Sequence, residues 1–179
     1  MIRPCPAQIK SNKKVWLDLT WANELLKSSP TLIDSNRWYH TGDLATMDES
    51  GYIKIVGRLK DMIIRGGENV YPSEIENCLL KHKDVLDVQV VGAPDYRLGE
   101  VVVAYVRVRD GVLDTHHSSG RTEDQIIKNL KEFCQPLLAK YKIPKHWKIL
   151  DAYPATLSGK VKKFMLRERC LKDFDLEIK

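Results

Sequence analysis

No two of the four cysteines (Cys5, Cys78, Cys134 and Cys170) form a CxxC pair, and none has a histidine at metal-ligand spacing. That absence argues against a zinc module and a disulfide framework, and leaves reduced thiols in an intracellular protein as the expectation. Also missing is any apolar run approaching the roughly 20 residues that cross a bilayer. The opening MIRPCPAQIKSNKK is basic but lacks the apolar segment of a secretory signal. Aromatic residues make up only 8% and do not interleave with the basic ones. The stacking platform of a nucleic-acid binder is therefore absent, as is any motif that docks a helix in a groove.

What is present is a chain of 179 residues with 43% hydrophobic content, enough for one core with room for a second small unit. It reads as soluble and globular. The net charge of +5 is uneven, with eleven Lys/Arg against five Asp/Glu from Lys140 onward. Such a segment is either a solvated basic face or a neighbour for an anionic, phosphorylated small molecule.

The texture changes along the chain. In residues 1–36 periodicity is weak, and WLDLTWANELLKSS offers one short amphipathic helix ended by Pro30. From Arg37, a TGD turn, a DESG turn and the alternating YIKIV suggest a hairpin from a larger sheet. The run RLKDMIIRGGENVYPSEIE then puts two glycines after an apolar stretch and before a helix start. Pro72 at the first helical turn, with Glu74 and Glu76 at the positive end of the dipole, predicts a helix over about residues 72–82. The β-branched runs VLDVQVV and EVVVAYVRVRD predict an antiparallel pair, and GVLDTHHSSGR a loop. Helical spacing from about Thr122 to Lys140, interrupted at Pro136, predicts a second helix. HWKILDAYP then predicts a third strand and FMLRERCLKDF a last helix. The expected fold class is α+β: a small, mainly antiparallel sheet of about three strands packed with helices, preceded by a β-hairpin stub.

Four stretches, YHTGDL, GRLKDMIIRGGENVYPSEIE, VVGAPDYRLGE and PATLSGKVKKFMLR, together resemble the C-terminal end of the adenylate-forming enzymes, in that family's order. This superfamily contains acyl-CoA synthetases, luciferases and peptide-synthetase adenylation domains. The variant IRGGENVYPSEIE looks most like the medium-chain fatty acyl-CoA synthetases. The resemblance implies three parts: an unassigned, weakly ordered segment at 1–36, a stub of the large AMP-binding domain at 37–59, and a mobile lid domain at 60–179. It also implies a reaction in which a carboxylate attacks the α-phosphate of ATP to give an acyl-adenylate, which CoA then converts to a thioester.

The resemblance carries over residue by residue. Asp43 matches the aspartate that takes both ribose hydroxyls, a task suited to two acceptor oxygens; read alone, it closes a turn. Arg58 matches an arginine that reaches the same ribose, and read alone it is a solvated strand end. Lys60 falls on the hinge about which the lid rotates between an adenylation pose and a thioester pose, where many relatives carry Asp. Lys160 matches the catalytic lysine that stabilises charge in adenylate formation, although a lysine among Lys162 and Lys163 ordinarily faces solvent. Gly66 and Gly67 would border the CoA pantetheine path, or else simply supply a turn needing positive φ.

The family's phosphate-binding loop of the type TSGTTGxPKG does not occur in this sequence, nor does its magnesium-holding glutamate. ATP/AMP and CoA are thus the implied small molecules together with a fatty acid, and Mg2+ would have its ligands outside this chain. The implied location is intracellular, with a mitochondrial one suggested by the resemblance. Two further readings compete: a non-catalytic module that binds CoA or a partner, and a basic nucleic-acid-binding domain, which the motif order disfavours.

Overall fold

In the computed structural model, residues 7–10, 14–18, 38–48, 50, 52–113 and 121–176 are described. They fall into two compact units, 1–60 and 61–179. The helix expected in WLDLTWANELLKSS begins on residues that lie in a strand; its remainder, like most of the loop expected at 111–121, lies outside the described residues.

The first unit is a four-stranded antiparallel sheet of β1 (Ala7–Lys10), β2 (Lys14–Asp18), β3 (Trp38–Met47) and β4 (Ile53–Arg58). The expected hairpin is β3–β4, joined at its closed end by Asp48, whose carboxylate accepts the Ser50 and Tyr52 N–H groups. Strand β2 pairs with β1 on one side and β3 on the other, and this pairing overrides the local helical periodicity around Trp16.

The second unit is organised by β7 (Val85–Asp95) and β8 (Gly99–Val108), an antiparallel pair in register from Asp95↔Gly99 to Val88↔Val106. Residues 101–106, VVVAYV, are all buried, because the strand is covered on both faces. Its side chains alternate between two layers. Val102, Ala104 and Val106 join Val88 and Val90 under helices α1 (Pro72–Leu79) and α2 (Glu123–Cys134), against Ile75, Leu79, Ile126 and Leu130. Val101, Val103 and Tyr105 join Val91 and Ala93 under helix α3 (Lys163–Asp173), against Leu166 and Cys170. A register shift between Val85 and Asp87 changes the parity, so that Val85 also faces the first layer.

Along its other edge β8 meets two shorter pieces. β5 (Ile63–Arg65) pairs at Gly99 and carries β6 (Glu68–Val70) as its hairpin partner. β9 (His146–Ile149) runs parallel to Val103–Val106 after the crossover through α2. The sheet thus has five strands where sequence suggests about three; the additions are the three-residue strands flanking Gly66–Gly67, and β9 supplies a parallel pair. The α+β class holds.

The helices start where the chemistry of their first turns directs. Pro72 opens α1. Thr122 and Gln125 form a reciprocal capping box on α2, with Gln125 N–H donating to Thr122 Oγ1 at 3.3 Å and Thr122 N–H to Gln125 Oε1 at 3.0 Å. Helix α2 ends at Cys134, two residues before Pro136.

Candidate functional site

The residues singled out by sequence lie on a kinked strand pair, one short turn and two hairpin loops. In the first unit, Thr41, Gly42 and Asp43 are not a turn between strands, as expected, but lie inside the ten-residue β3. The register against β2 is interrupted over these residues, and Gly42 takes φ +73°, the left-handed region that glycine occupies without strain. The kink is held by the Asp43 N–H donating to Thr41 Oγ1 at 3.0 Å. Asp43 stands opposite Arg58 in the β3–β4 ladder, and the Arg58 Nε–H donates to Asp43 Oδ1 at 3.1 Å. The pair is 29% and 47% exposed. Among the described residues the second carboxylate oxygen and the remaining guanidinium N–H groups have no other partner, and they lie side by side, open to a polyol that both donates and accepts.

Lys60 is exposed in a single 3-10 turn, Leu59–Asp61, at the border between the units.

In the second unit, Gly66 (φ +57°) and Gly67 (φ +85°) are the two central residues of the β5–β6 hairpin. Two consecutive positive φ values are the pattern of a type I′ turn, whose twist matches that of the flanking strands. A Cβ built on Gly67 meets nothing within 4 Å, so the outer side of the turn is open. Its inner side is pinned by the Gly66 N–H, which donates to Leu98 O at 2.7 Å. Leu98 belongs to the β7–β8 turn, whose N–H groups at Arg97 and Leu98 donate to Asp95 Oδ1 at 3.0 and 3.1 Å. Asp95 in turn accepts from Lys145 Nζ at 2.7 Å. One carboxylate thus fixes the turn against which the glycines rest.

That hydrogen bond from Lys145, followed by those from the two backbone amides, holds the Asp95 carboxyl down at about 2 against an ordinary value of 3.8. A carboxyl whose pKa is depressed by folding contributes stability above its unfolded pKa, and the contribution disappears as pH falls through the folded value. The expected result is an acid limb of thermal stability between about pH 4 and 2 that Asp95→Asn flattens. Lys145 is 47% exposed, so solvent screening limits the effect to about 1 kcal/mol. Melting curves of the two proteins across that range check it.

The other hairpin loop spans 154–162. Its stem is the Ala155↔Val161 bridge and the Lys162 N–H donating to Pro154 O at 2.8 Å. The tip TLSGK is exposed throughout, with Gly159 at φ +80°. Below the stem the hairpin is rooted on both sides. Tyr153 Oη donates toward the carbonyls of Tyr105 (3.0 Å) and Asp87 (3.1 Å), and burial pushes its pKa up. Lys163 Nζ donates to Glu76 Oε1 at 2.7 Å, and the same oxygen accepts the Val90 N–H at 2.8 Å. Of the three lysines in this stretch, Lys163 is therefore committed to the interior of the unit. Lys160 has no ion-pair partner among the described residues.

The structure thus brings Asp43 and Arg58 together and joins Gly66 and Gly67 in one turn, while Lys160 stands on a separate loop of the second unit. Sequence reasoning missed Tyr153, Glu76 and Lys163, which root the hairpin. Each looked like ordinary strand-end or helix-start chemistry; only the tertiary pairing reveals it. Among the described residues no three His, Cys, Asp or Glu side chains converge as a metal site, and no helix is long and apolar enough to cross a membrane.

Residues 74–160 match the AMP-binding enzyme C-terminal domain. The human medium-chain acyl-CoA ligase ACSF2, mitochondrial, is 45% identical over 144 residues, which is 80% of this chain but 22% of that protein. ATP-bound MatB from Rhodopseudomonas palustris superposes with a TM-score of 0.69 at 32% identity, over 84% of this chain and 28% of that one. A fatty acyl CoA synthetase from Mycobacterium tuberculosis does so with a TM-score of 0.60 at 31% identity, over 92% and 33%. The chain therefore spans between a fifth and a third of the proteins it is similar to.

Proposed function

We propose, from the premise that residues 74–160 are an AMP-binding enzyme C-terminal domain, that the chain is the lid-bearing part of a fatty acyl-CoA synthetase. The observation that carries the reading is Lys160: an ammonium with no ion-pair partner among the described residues, held out on a rooted hairpin in a domain whose neighbouring lysine is neutralised internally. A charge displayed in that way suits a partner surface that brings phosphate to it.

In adenylate formation, the fatty acid carboxylate attacks the α-phosphate of ATP and pyrophosphate leaves. Negative charge builds on the transferring phosphoryl oxygens, and the Lys160 ammonium stabilises it there. Asp43 and Arg58 hold the ribose of the same nucleotide, the carboxylate accepting from its hydroxyls and the guanidinium keeping the carboxylate in place. In the second step the CoA thiol attacks the acyl carbonyl and AMP leaves. The Gly66–Gly67 turn, without side chains on its open side, lets the pantetheine arm pass. Rotation about Lys60 exchanges the two loops between steps, and the domain boundaries that accompany this reading are a large-domain stub at 37–59 and a lid from 60. Among the described residues no three His, Cys, Asp or Glu side chains converge on a site that would hold magnesium. An intracellular, mitochondrial location belongs to the same proposal, supported by the name of the human relative.

The phosphate-binding loop is absent from this sequence, so the 179-residue chain alone is expected to show no fatty-acid-dependent exchange of pyrophosphate into ATP. Joined to the large domain of an acyl-CoA synthetase, it is expected to restore exchange. Exchange by the purified chain that disappears in Lys160→Ala would overturn the division of labour. CoA binding by the chain with no activity in the joined protein would instead favour a non-catalytic module.

A further inference from the structure

The tip that presents Lys160 is closed by one side chain. Thr156 Oγ1 accepts the Lys160 N–H at 3.1 Å and shares a hydrogen bond with Ser158 Oγ at 2.9 Å. The Thr156 N–H donates to Lys160 O at 2.9 Å, and Thr156 O accepts the Gly159 N–H at 2.9 Å. Thr156 therefore holds Lys160 at both its backbone N–H and its backbone C=O, while Gly159 makes the left-handed turn between them. No other side chain reaches the Lys160 backbone among the described residues.

We infer that Thr156 is the positioning residue of Lys160: its hydroxyl fixes the backbone from which the ammonium is launched. This rests on the reading of Lys160 given above. The physical reasoning is entropic. A five-residue exposed loop samples many backbone states, and a lysine adds a flexible stem to them. The tip has no buried apolar contact to narrow that ensemble, since Leu157 is completely exposed and Gly159 has open space around it. Two backbone bonds narrow it in part, and the hydroxyl completes the ring at the Lys160 N–H, a closure to which a threonine at this position is suited. Serine supplies the same oxygen; valine supplies the same shape without it.

Two measurements decide the inference. In the 179-residue chain, the Lys160 amide is expected to exchange about three- to tenfold faster with solvent in Thr156→Val, the loss of roughly one net hydrogen bond, and at close to the native rate in Thr156→Ser. In the chain joined to a synthetase large domain, Thr156→Val is expected to lower kcat for pyrophosphate exchange by a similar factor, with KM for ATP and fatty acid unchanged. Thioester formation from supplied acyl-adenylate is expected to stay the same and the melting temperature to fall by no more than a few degrees, because the tip is exposed and outside both core layers. Thr156→Ser is expected to restore exchange. An unaltered adenylation rate in Thr156→Val overturns the inference, as does a serine variant no better than valine or an equal loss in both half-reactions. If Lys160→Ala itself leaves adenylation intact, the functional reading fails; the amide exchange still decides whether Thr156 holds Lys160.

Discussion

In a synthetase completed with a large domain, Lys160→Ala is expected to slow acyl-adenylate formation by about a hundredfold or more. Removing one preorganised charge aimed at a developing oxyanion costs on the order of 3 kcal/mol, and each ~1.4 kcal/mol is a factor of ten in rate. The folded structure should be indifferent to the change: Lys160 is exposed, has no ion-pair partner among the described residues, and makes its tip contacts through the backbone, which alanine retains. Thioester formation from supplied acyl-adenylate is expected to survive, since the lysine loop acts in the other pose. Single-turnover assays of the two steps provide the check; a loss shared equally between them would mean that Lys160 is not confined to the first.

Gly67→Leu is expected to give the opposite pattern, with CoA-dependent turnover falling by ten- to a hundredfold while pyrophosphate exchange persists, about what misplacing a reacting group by an ångström costs. Two effects of this substitution must be separated. At φ +85° any L-residue carries left-handed strain, roughly 1–2 kcal/mol. The added Cβ itself meets open space, so nothing inside the unit blocks the side chain. Gly67→Ala isolates the first effect, because alanine carries the left-handed strain and adds only a Cβ, which meets open space. If leucine and alanine lower thioester formation alike, backbone strain is responsible and the turn does not border a pantetheine path. If leucine alone does so, the open side of the turn is the path.

How much of this was legible in advance differs from element to element. Strands β7 and β8 announced themselves through β-branched density, and α2 and α3 through helical spacing, because packing against a common sheet leaves a period in the sequence. The β5–β6 hairpin did not, since three residues on either side of a glycine pair are too few to show alternation. GGEN accordingly reads as a turn feeding a helix, whereas it is a turn between strands, with the helix following. Thr41–Asp43 was read as a turn for a related reason: glycine and aspartate signal a reversal, and nothing local distinguishes a reversal from a kink inside a paired strand. The strand at Lys14–Asp18 was hidden by its dependence on β1 and β3. Of the site, Asp43, Arg58 and Lys160 were legible through motif order, whereas the hairpin's roots and its Thr156 closure exist only in three dimensions.

The parallel seating of β9 against Val103–Val106 has a consequence for the order in which the second unit assembles. Strands β7 and β8 are joined by a tight turn and can pair as soon as both are made, whereas a parallel neighbour must wait for its crossover to be synthesised and folded back. Helix α2 lies within that crossover, and the hairpin carrying Lys160 comes after β9. On a ribosome the glycine turn and the surface that roots the lysine loop, the β7–β8 carbonyls and Glu76, would therefore be made before that loop, which closes on them once Tyr153 and Lys163 emerge. The chemistry proposed for the first step of the reaction is thus carried by a loop built later than the turn proposed for the second.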